Sequence, residues 1–455
     1  MFKKLILSSV LALCMSCAVY AEDYLVKLND GSMNLYSAKS YDDVEYITDN
    51  VCETSKENAE EMLADGRAEY IEPVYPMELY DIEPDDTYYA DQIYMKAMKI
   101  PELQKNYSGE GVRVAVIDSG VNRSHPDLLD ANIEQGYNYI DNSTDTTDTF
   151  NHGTRVTAVI AATPNNGIGI AGVAPKCTIV PLLCKTSTDG TDAHVMKAIY
   201  DAVNVYDCKI INISMGTTAN SRLLREAVDW AAEKGVIIVA AAGNGGTKKT
   251  GQYAYPAAFA NTISVGAVTG DYSLASYTQR NDTVDVSVVY QSLYLPNKIN
   301  GYTADVGTSF CAPVITGIIT LILSRYPDFD VNDMRNTIKA ATADVCESGK
   351  DYSGYGVLMC DEIDKVFKYK QDIYISPYIS GSEVKLKLFN SCAKDGCRLI
   401  KAVYKDGAYK GYTAETVNFD ENGLFYTTAA LNSGETLKLF VWDSIEGQHN
   451  LSAVK

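Results

Sequence analysis

VRVAVIDSG, residues 112–120, decides the fold. From Val112 to Ile117 the segment is apolar apart from Arg113, and it stops at an acid, a serine and a glycine. Four more runs of this kind follow: TIVPLL (178–183), KIINI (209–213), VIIVAA (236–241) and TISVGAV (262–268). Runs without polar alternation suit strands covered on both faces, the condition of a parallel sheet. Helical stretches accompany them: AHVMKAIYDAVNVY (193–206), SRLLREAVDWAAEKG (221–235) and, after the last run, PVITGIITLILSRY (313–326). In the second of these, Leu224, Val228, Ala231 and Ala232 recur at helical spacing. Strand–helix–strand repetition predicts a doubly wound α/β domain with a mainly parallel sheet. Such sheets bind ligands beyond the carboxyl ends of their strands, so chemistry is sought just after the runs.

Outside this block the rhythm changes on both sides. Residues 22–80 read as a small α/β unit: YLVKL (24–28) and AEYIEP (68–73) as strands, KENAEEMLADG (56–66) as a helix. The acidic, Pro-rich EPVYPMELYDIEPDD (72–86) reads as an exposed linker. After the block, which is taken as 81–368, residues 369–455 show short alternating strands such as EVKLKLF (383–389) and TLKLFVWD (436–443). They predict an antiparallel β-sandwich. Ahead of everything, Lys3 and Lys4, the apolar run from Leu5 to about Val19, and Val19 with Ala21 form the parts of an export signal over 1–21. That run is short for a membrane span.

The 455 residues carry a net charge of −20, with 46% hydrophobic and 22% charged residues. Phosphate recognition needs clustered Lys and Arg, and none is visible, so nucleic acid and anionic lipid are not expected as partners. A soluble, exported product acting as a monomer is expected, either free outside the cell or held at its surface. Of eleven cysteines, Cys14 and Cys17 would leave with the signal. Cys392 and Cys397 flank a short turn that a disulfide could close, whereas Cys177, Cys184 and Cys208 lie in apolar runs that suit buried thiols.

Three motifs carry chemistry. VAVIDSG (114–120) ends a buried strand on Asp118; NHGTRVTAVIAA (151–162) puts His152 at the start of an apolar helix; GTSFCAPVITG (307–317) puts Ser309 in a turn opening another. A serine hydroxyl is a weak nucleophile until an imidazole takes its proton. The imidazole in turn needs a buried carboxylate to hold its tautomer. A helix N-terminus at Ser309 adds a positive dipole end and a backbone N–H for a developing oxyanion. AAAGNGG (240–246) offers Asn244 as a second oxyanion donor. Each motif alone is as readily a strand-end cap, a core histidine or an N-cap serine.

All four motifs in this order resemble the subtilisin-like serine proteases, the subtilase family, over roughly residues 84–345. The Asp, His, Ser order is the one that the general triad template gives for subtilisin itself. The resemblance implies a serine endopeptidase acting on protein or peptide substrates. In it ISMG (213–216) supplies Ser214, Met215 and Gly216 to the cleft, Ala241, Ala242 and Gly243 wall the primary pocket, and Ala254 lies near its base. Small walls without an acid imply cleavage after Leu, Phe, Tyr or Met rather than Lys or Arg. PNNGIGIAGVAP (164–175) resembles the family's calcium loop: Asn166, the carbonyls of Pro164, Ile168 and Ile170, and the carboxylates of Asp86 and Asp127 would bind Ca²⁺. A plain Gly-rich loop is the alternative. Residues 22–80 resemble the propeptide that inhibits the cleft, with self-cleavage between about Tyr75 and Thr87; a permanent N-terminal domain is the other reading. The tail resembles sandwiches at the ends of secreted clostridial proteins, serving either binding or stability. Two departures stand out: Arg155 where a second His is usual, and Phe310 with Cys311 after the serine. The competing reading is a weak or inactive subtilase-fold protein that binds through its C-terminal domain.

Overall fold

The computed structural model describes residues 23–29, 45–48, 51–73, 83–343, 350–369, 373–380, 383–390, 397–405, 408–420, 423–433, 435–442 and 450–454. The export-signal segment 1–21, most of the cleavage window and Cys392 lie outside them. The chain divides into two compact units at Glu83/Pro84.

In the first unit, β1 (Asp23–Leu28), β2 (Glu45–Thr48), β3 (Val51–Ser55) and β4 (Ala68–Pro73) form an antiparallel sheet in the order β2-β3-β1-β4. Helix α1 (Lys56–Ala64) starts where the Ser55 hydroxyl accepts the Asn58 N–H, the usual N-cap arrangement. It buries Ala59 and Met62 with Val26, Leu28 and Cys52 of the sheet.

The second unit holds the sheet foreseen from the apolar runs. Its strands are β5 (Arg113–Asp118), β6 (Tyr137–Asn138), β7 (Thr178–Leu183), β8 (Ile210–Ile213), β9 (Ile237–Ala241), β10 (Thr262–Val268) and β11 (Val286–Val289). Together with the short β14 (Thr342–Ala343) and β15 (Val357–Leu358) they take the order β14-β15-β11-β10-β9-β8-β5-β7-β6. Every pair is parallel except β14 with β15. Two further strands, β12 (Leu293–Pro296) and β13 (Tyr302–Asp305), form a separate hairpin. All residues of β7, β8, β9 and β10 are buried, which explains their unbroken apolar character.

Both faces are covered. Helices α2 (Gly153–Ala161) and α5 (Thr308–Leu323) share one core cluster, while α3 (Asp192–Asn204) and α4 (Arg222–Glu233) share the other. Helix α4 buries Leu224, Ala227, Val228 and Ala231 and keeps its charged residues outward, as its periodicity requires. From β5 the chain places β7 and β6 on one side and β8 onward on the other. The gap beyond the ends of β5 and β8 is therefore the switch point where open α/β sheets bind ligands.

The C-terminal region forms two antiparallel sheets. Strands Ile373–Ser380, Glu383–Asn390 and Leu424–Ala430 make one, and Cys397–Lys405, Ala408–Val417, Glu435–Trp442 and Asn450–Val454 make the other. Leu386 and Leu388 of the first pack with Leu399, Val417 and Val441 of the second, as in a β-sandwich. It is seated on helix α6 (Val331–Ala341): Ala340 packs with Phe389 and Leu424, and Lys387, 1% exposed, donates to the Thr342 hydroxyl. A buried ammonium is costly unless it is hydrogen-bonded, so this contact holds the tail in one orientation.

Candidate active site

Asp118 ends β5 at the switch point and is 1% exposed. Its Oδ1 accepts the Ser119 N–H at 2.7 Å and lies 2.8 Å from His152 Nδ1, with Oδ2 at 3.0 Å from the same nitrogen. A carboxylate only accepts, so Nδ1 carries the proton and Nε2 is left as an acceptor. Burial pushes the His152 pKa down, but the Asp118 charge and hydrogen bond, with Asp148 and Asp305 further off, outweigh it and raise it above the ordinary imidazole value.

The loop ahead of α2 is fastened by groups that no motif announces. Asp148, 3% exposed, accepts the Ser119 hydroxyl at 2.9 Å and the Phe150, Asn151 and Thr154 N–H groups. The Ser119 hydroxyl oxygen accepts the Gly153 N–H at 2.8 Å. Gly153 is required here because a Cβ would sit 2.2 Å from the Gly120 carbonyl oxygen. Asp148 lies in a run of Asp, Ser, Thr and Asn (141–149) that reads as a solvated loop, and no local signal separates it from its neighbours.

Ser309 is the one residue of α5 that is not buried. Pro313 lies four residues on and has no N–H, so the Ser309 carbonyl is spared its helical bond. That carbonyl instead accepts the Ser214 hydroxyl at 2.7 Å, and Ser214 accepts the Asn212 side-chain amide at 2.9 Å. Asn212 is fully buried and its Oδ1 takes the Thr316 hydroxyl. A polar residue inside the apolar run KIINI was the signal that could have revealed this brace. The Ser309 hydroxyl donates to the Ser214 carbonyl at 3.0 Å, not to His152.

Asn244 follows β9. Its Oδ1 accepts both the N–H and the hydroxyl of Thr308, at 2.9 and 3.0 Å, which fixes the orientation of its amide. Its NH₂ group and the Ser309 N–H have no hydrogen-bond partner among the described residues, and both border the same cavity. Gly307 lets them meet: a Cβ there would lie 3.2 Å from Asn244 Nδ2.

Ser214, Met215 and Gly216 continue from β8 along the cleft floor, between two cavities of about 250 and 330 Å³. The N–H and C=O of Gly216 carry no hydrogen bond among the described residues, leaving an open edge for another strand. The first cavity lies beside Asp118 and His152 and is lined by Phe150, Val195, Leu224 and Tyr255. The second lies beside Ser309 and Asn244 and is lined by Ala241, Gly243 and Ala254. Ala242, expected as a wall, does not line it. Its N–H continues the pairing of β9 with the Val265 carbonyl, and its side chain is buried in the sheet. Lys249, Gln252 and Gln279 also reach this cavity, so its wall is more polar than the motif alone suggests.

Arg155 is 8% exposed and forms an ion pair with Asp305 at the end of β13, which ties the His152 helix to the strand leading into Ser309. His125 is a structural group, its Nδ1 accepting the Asp127 N–H and its Nε2 3.0 Å from the Gly301 carbonyl. Asp127 and Asp86 are buried close to Asn166: Asp127 accepts from Asn166 Nδ2 and the Ile170 N–H, while Asp86 accepts the Asn165 N–H and leaves its Oδ1 buried without a partner. Burial, with the Asp86 charge adding to it, pushes the Asp127 carboxyl up to about 7.

An α/β sheet carrying an Asp–His pair, a serine at a helix start and an oriented asparagine defines a class, and a sequence profile of the subtilase family matches residues 109–357; the chain belongs to that family. It is 36% identical over 264 residues to the thermophilic serine proteinase of Bacillus sp. (strain AK1), covering 56% of this chain and 63% of that protein. It is 35% identical over 247 residues to subtilisin E of Bacillus subtilis (strain 168), covering 53% and 64%. The match thus spans a little under two thirds of these relatives' length. Among solved structures, the S41 psychrophilic protease superposes with a TM-score of 0.51 at 30% identity, over 56% of this chain and 96% of that one.

Proposed function

We propose that this chain is a secreted serine endopeptidase, made as a zymogen and hydrolysing extended polypeptides through an acyl-enzyme. The observation that carries the reading is the buried Asp118 locked onto His152 Nδ1, which leaves Nε2 facing the cleft as a base. Ser309 Oγ would attack the substrate carbonyl as its proton passes to Nε2. The oxyanion would form beside the Ser309 N–H and Asn244 Nδ2. His152 would then protonate the departing amine, and water would release the acyl group by the same steps in reverse. Gly216 would pair with the substrate backbone as an added strand.

One experiment tests activity and maturation together: intact mass of protein from the culture medium, before and after a fluorophosphonate probe. Loss of the first 75 to 87 residues and one probe per chain are expected. A full-length, unlabelled product would instead favour the binding-protein reading.

Asn244→Ala should lower kcat about 100- to 1,000-fold with little change in KM, a magnitude carried over from subtilisin. The reason is local: with Oδ1 held by Thr308, only Nδ2 is free to meet charge that grows in the transition state. Unchanged kcat on a peptide ester would remove Asn244 from the mechanism.

We also propose a structural Ca²⁺ at Asp86, Asp127 and Asn166, with the carbonyls of Pro164, Ile168 and Ile170. The donor set fits: two buried carboxylates crowd one another, one with an orphaned oxygen. The Gly167 and Gly169 carbonyls are taken by Thr87 and Tyr88, whereas those of Ile168 and Ile170 have no partner among the described residues. Hard oxygen donors of this kind suit calcium. The ion would neutralise the carboxylates and tie the 84–89 segment to the 164–170 loop. Chelation is expected to lower Tm by on the order of 5–10 °C, the shift that follows from about 3 kcal/mol of linked binding in a unit of this size. Asp127→Asn should make Tm insensitive to calcium, and equal calcium responses in both proteins would refute the site.

A further inference from the structure

The cavity beside Ser309 contains one charged residue, Lys249. Its stem runs along Gly245, next to the oxyanion asparagine: a Cβ on Gly245 would lie 2.6 Å from Lys249 Cβ and 2.9 Å from Lys249 Cδ. The polar groups around it are already committed. Gln279 accepts the Gly245 N–H at 3.0 Å and donates to the Lys249 and Gln252 carbonyls, both at 2.8 Å. Lys249 itself makes no ion pair among the described residues, although the chain holds 59 acidic residues against 39 basic ones. A lysine without an ion-pair partner, on the wall of a pocket whose other lining residues are uncharged and in a strongly acidic protein, is suited to meet an anion brought by the substrate.

We propose that Lys249 sets the charge preference of this pocket, favouring a substrate whose residue on the acyl side of the cleaved bond carries a carboxylate and rejecting Lys or Arg there. The assignment rests on the peptidase reading and adds to it. Ala241, Gly243 and Ala254 leave room for apolar side chains as well, so Lys249 discriminates among charged residues without excluding Phe or Leu. Because Lys249 is exposed, salt screens its effect.

The test is kcat/KM on four peptides that differ only in Glu, Gln, Lys or Phe at that position, measured with the wild type, Lys249→Gln and Lys249→Glu. The wild type is expected to prefer Glu over Lys by about tenfold or more, the discrimination of one close charge pair at intermediate dielectric. Lys249→Gln should bring the ratio towards one, and Lys249→Glu should invert it. The Phe peptide serves as the internal reference for folding and basal turnover. The wild-type preference should shrink between low and high salt. A Glu-to-Lys ratio that both substitutions leave unmoved overturns the assignment of Lys249 while the peptidase reading stands. Absence of turnover on all four peptides, in protein that also fails to take the fluorophosphonate probe, overturns both.

Discussion

Ser309→Ala is expected to lower kcat by about 10⁶-fold, a magnitude carried over from subtilisin, and to abolish fluorophosphonate labelling. The substitution removes one oxygen whose sole hydrogen bond among the described residues is the one it donates to the Ser214 carbonyl. Nothing in the brace beneath depends on it: the Ser214 hydroxyl bonds the Ser309 backbone carbonyl, and Asn212 holds Ser214 from the far side. Helix α5 should therefore keep its place and Tm should stay near the wild-type value. KM should change little, because the cleft edge at Gly216 and both cavities are intact. A residual rate over water is expected, since the Asn244 amide and the Ser309 N–H still face the substrate oxygen. If the variant kept more than about a hundredth of the wild-type rate on a peptide ester, the nucleophile would have to be sought elsewhere. Protein that folds, binds peptide and does not cleave it is the expected outcome.

Asp118→Asn should cost about 10⁴-fold in kcat, as loss of the triad carboxylate does in serine proteases. The geometry says why. Both Asp118 oxygens lie within 3.0 Å of His152 Nδ1, and Oδ1 also accepts the Ser119 N–H, so an amide that kept its oxygen on Ser119 would replace Oδ2 with an NH₂ donor that competes with the Nδ1 proton. Nδ1 would then have to accept, the proton would move to Nε2, and Nε2 could no longer take the serine's proton. The pH profile separates this from misfolding. In the wild type the Asp118 charge helps to raise the His152 pKa above its ordinary value of 6.5, so kcat/KM should climb on a limb centred above that pH as His152 becomes neutral. Without the carboxylate the imidazolium is less stabilised, and the limb should move to lower pH. A profile that stays where it was, at reduced height, would mean that Asp118 is only a structural strand end.

Arg155 shows how a departure from the family pattern is absorbed. A guanidinium in the first turn of a buried helix would be costly alone. Asp305, four residues ahead of Ser309, neutralises it, and the pair joins the segments that carry His152 and Ser309. From the sequence Arg155 was only an oddity, because its partner is 150 residues away.

The amino-acid sequence by itself determined the sheet, since unbroken apolar runs can be satisfied only where both faces are covered. It also singled out Asp118, His152, Asn244 and Ser309, because each sits at the end of such a run or the start of an apolar helix, where an open α/β sheet exposes its residues. Only the tertiary structure decided what surrounds them. Asp148 and Asn212 act through partners remote in sequence, and Lys249 lies in a segment without periodicity. Ala242 is buried in the sheet while Ala241 and Gly243 line the cavity, because adjacent residues at a strand end point to opposite sides. Local patterns record which face of an element is buried, whereas the meeting of side chains from separate loops is set by how the whole chain closes on its core.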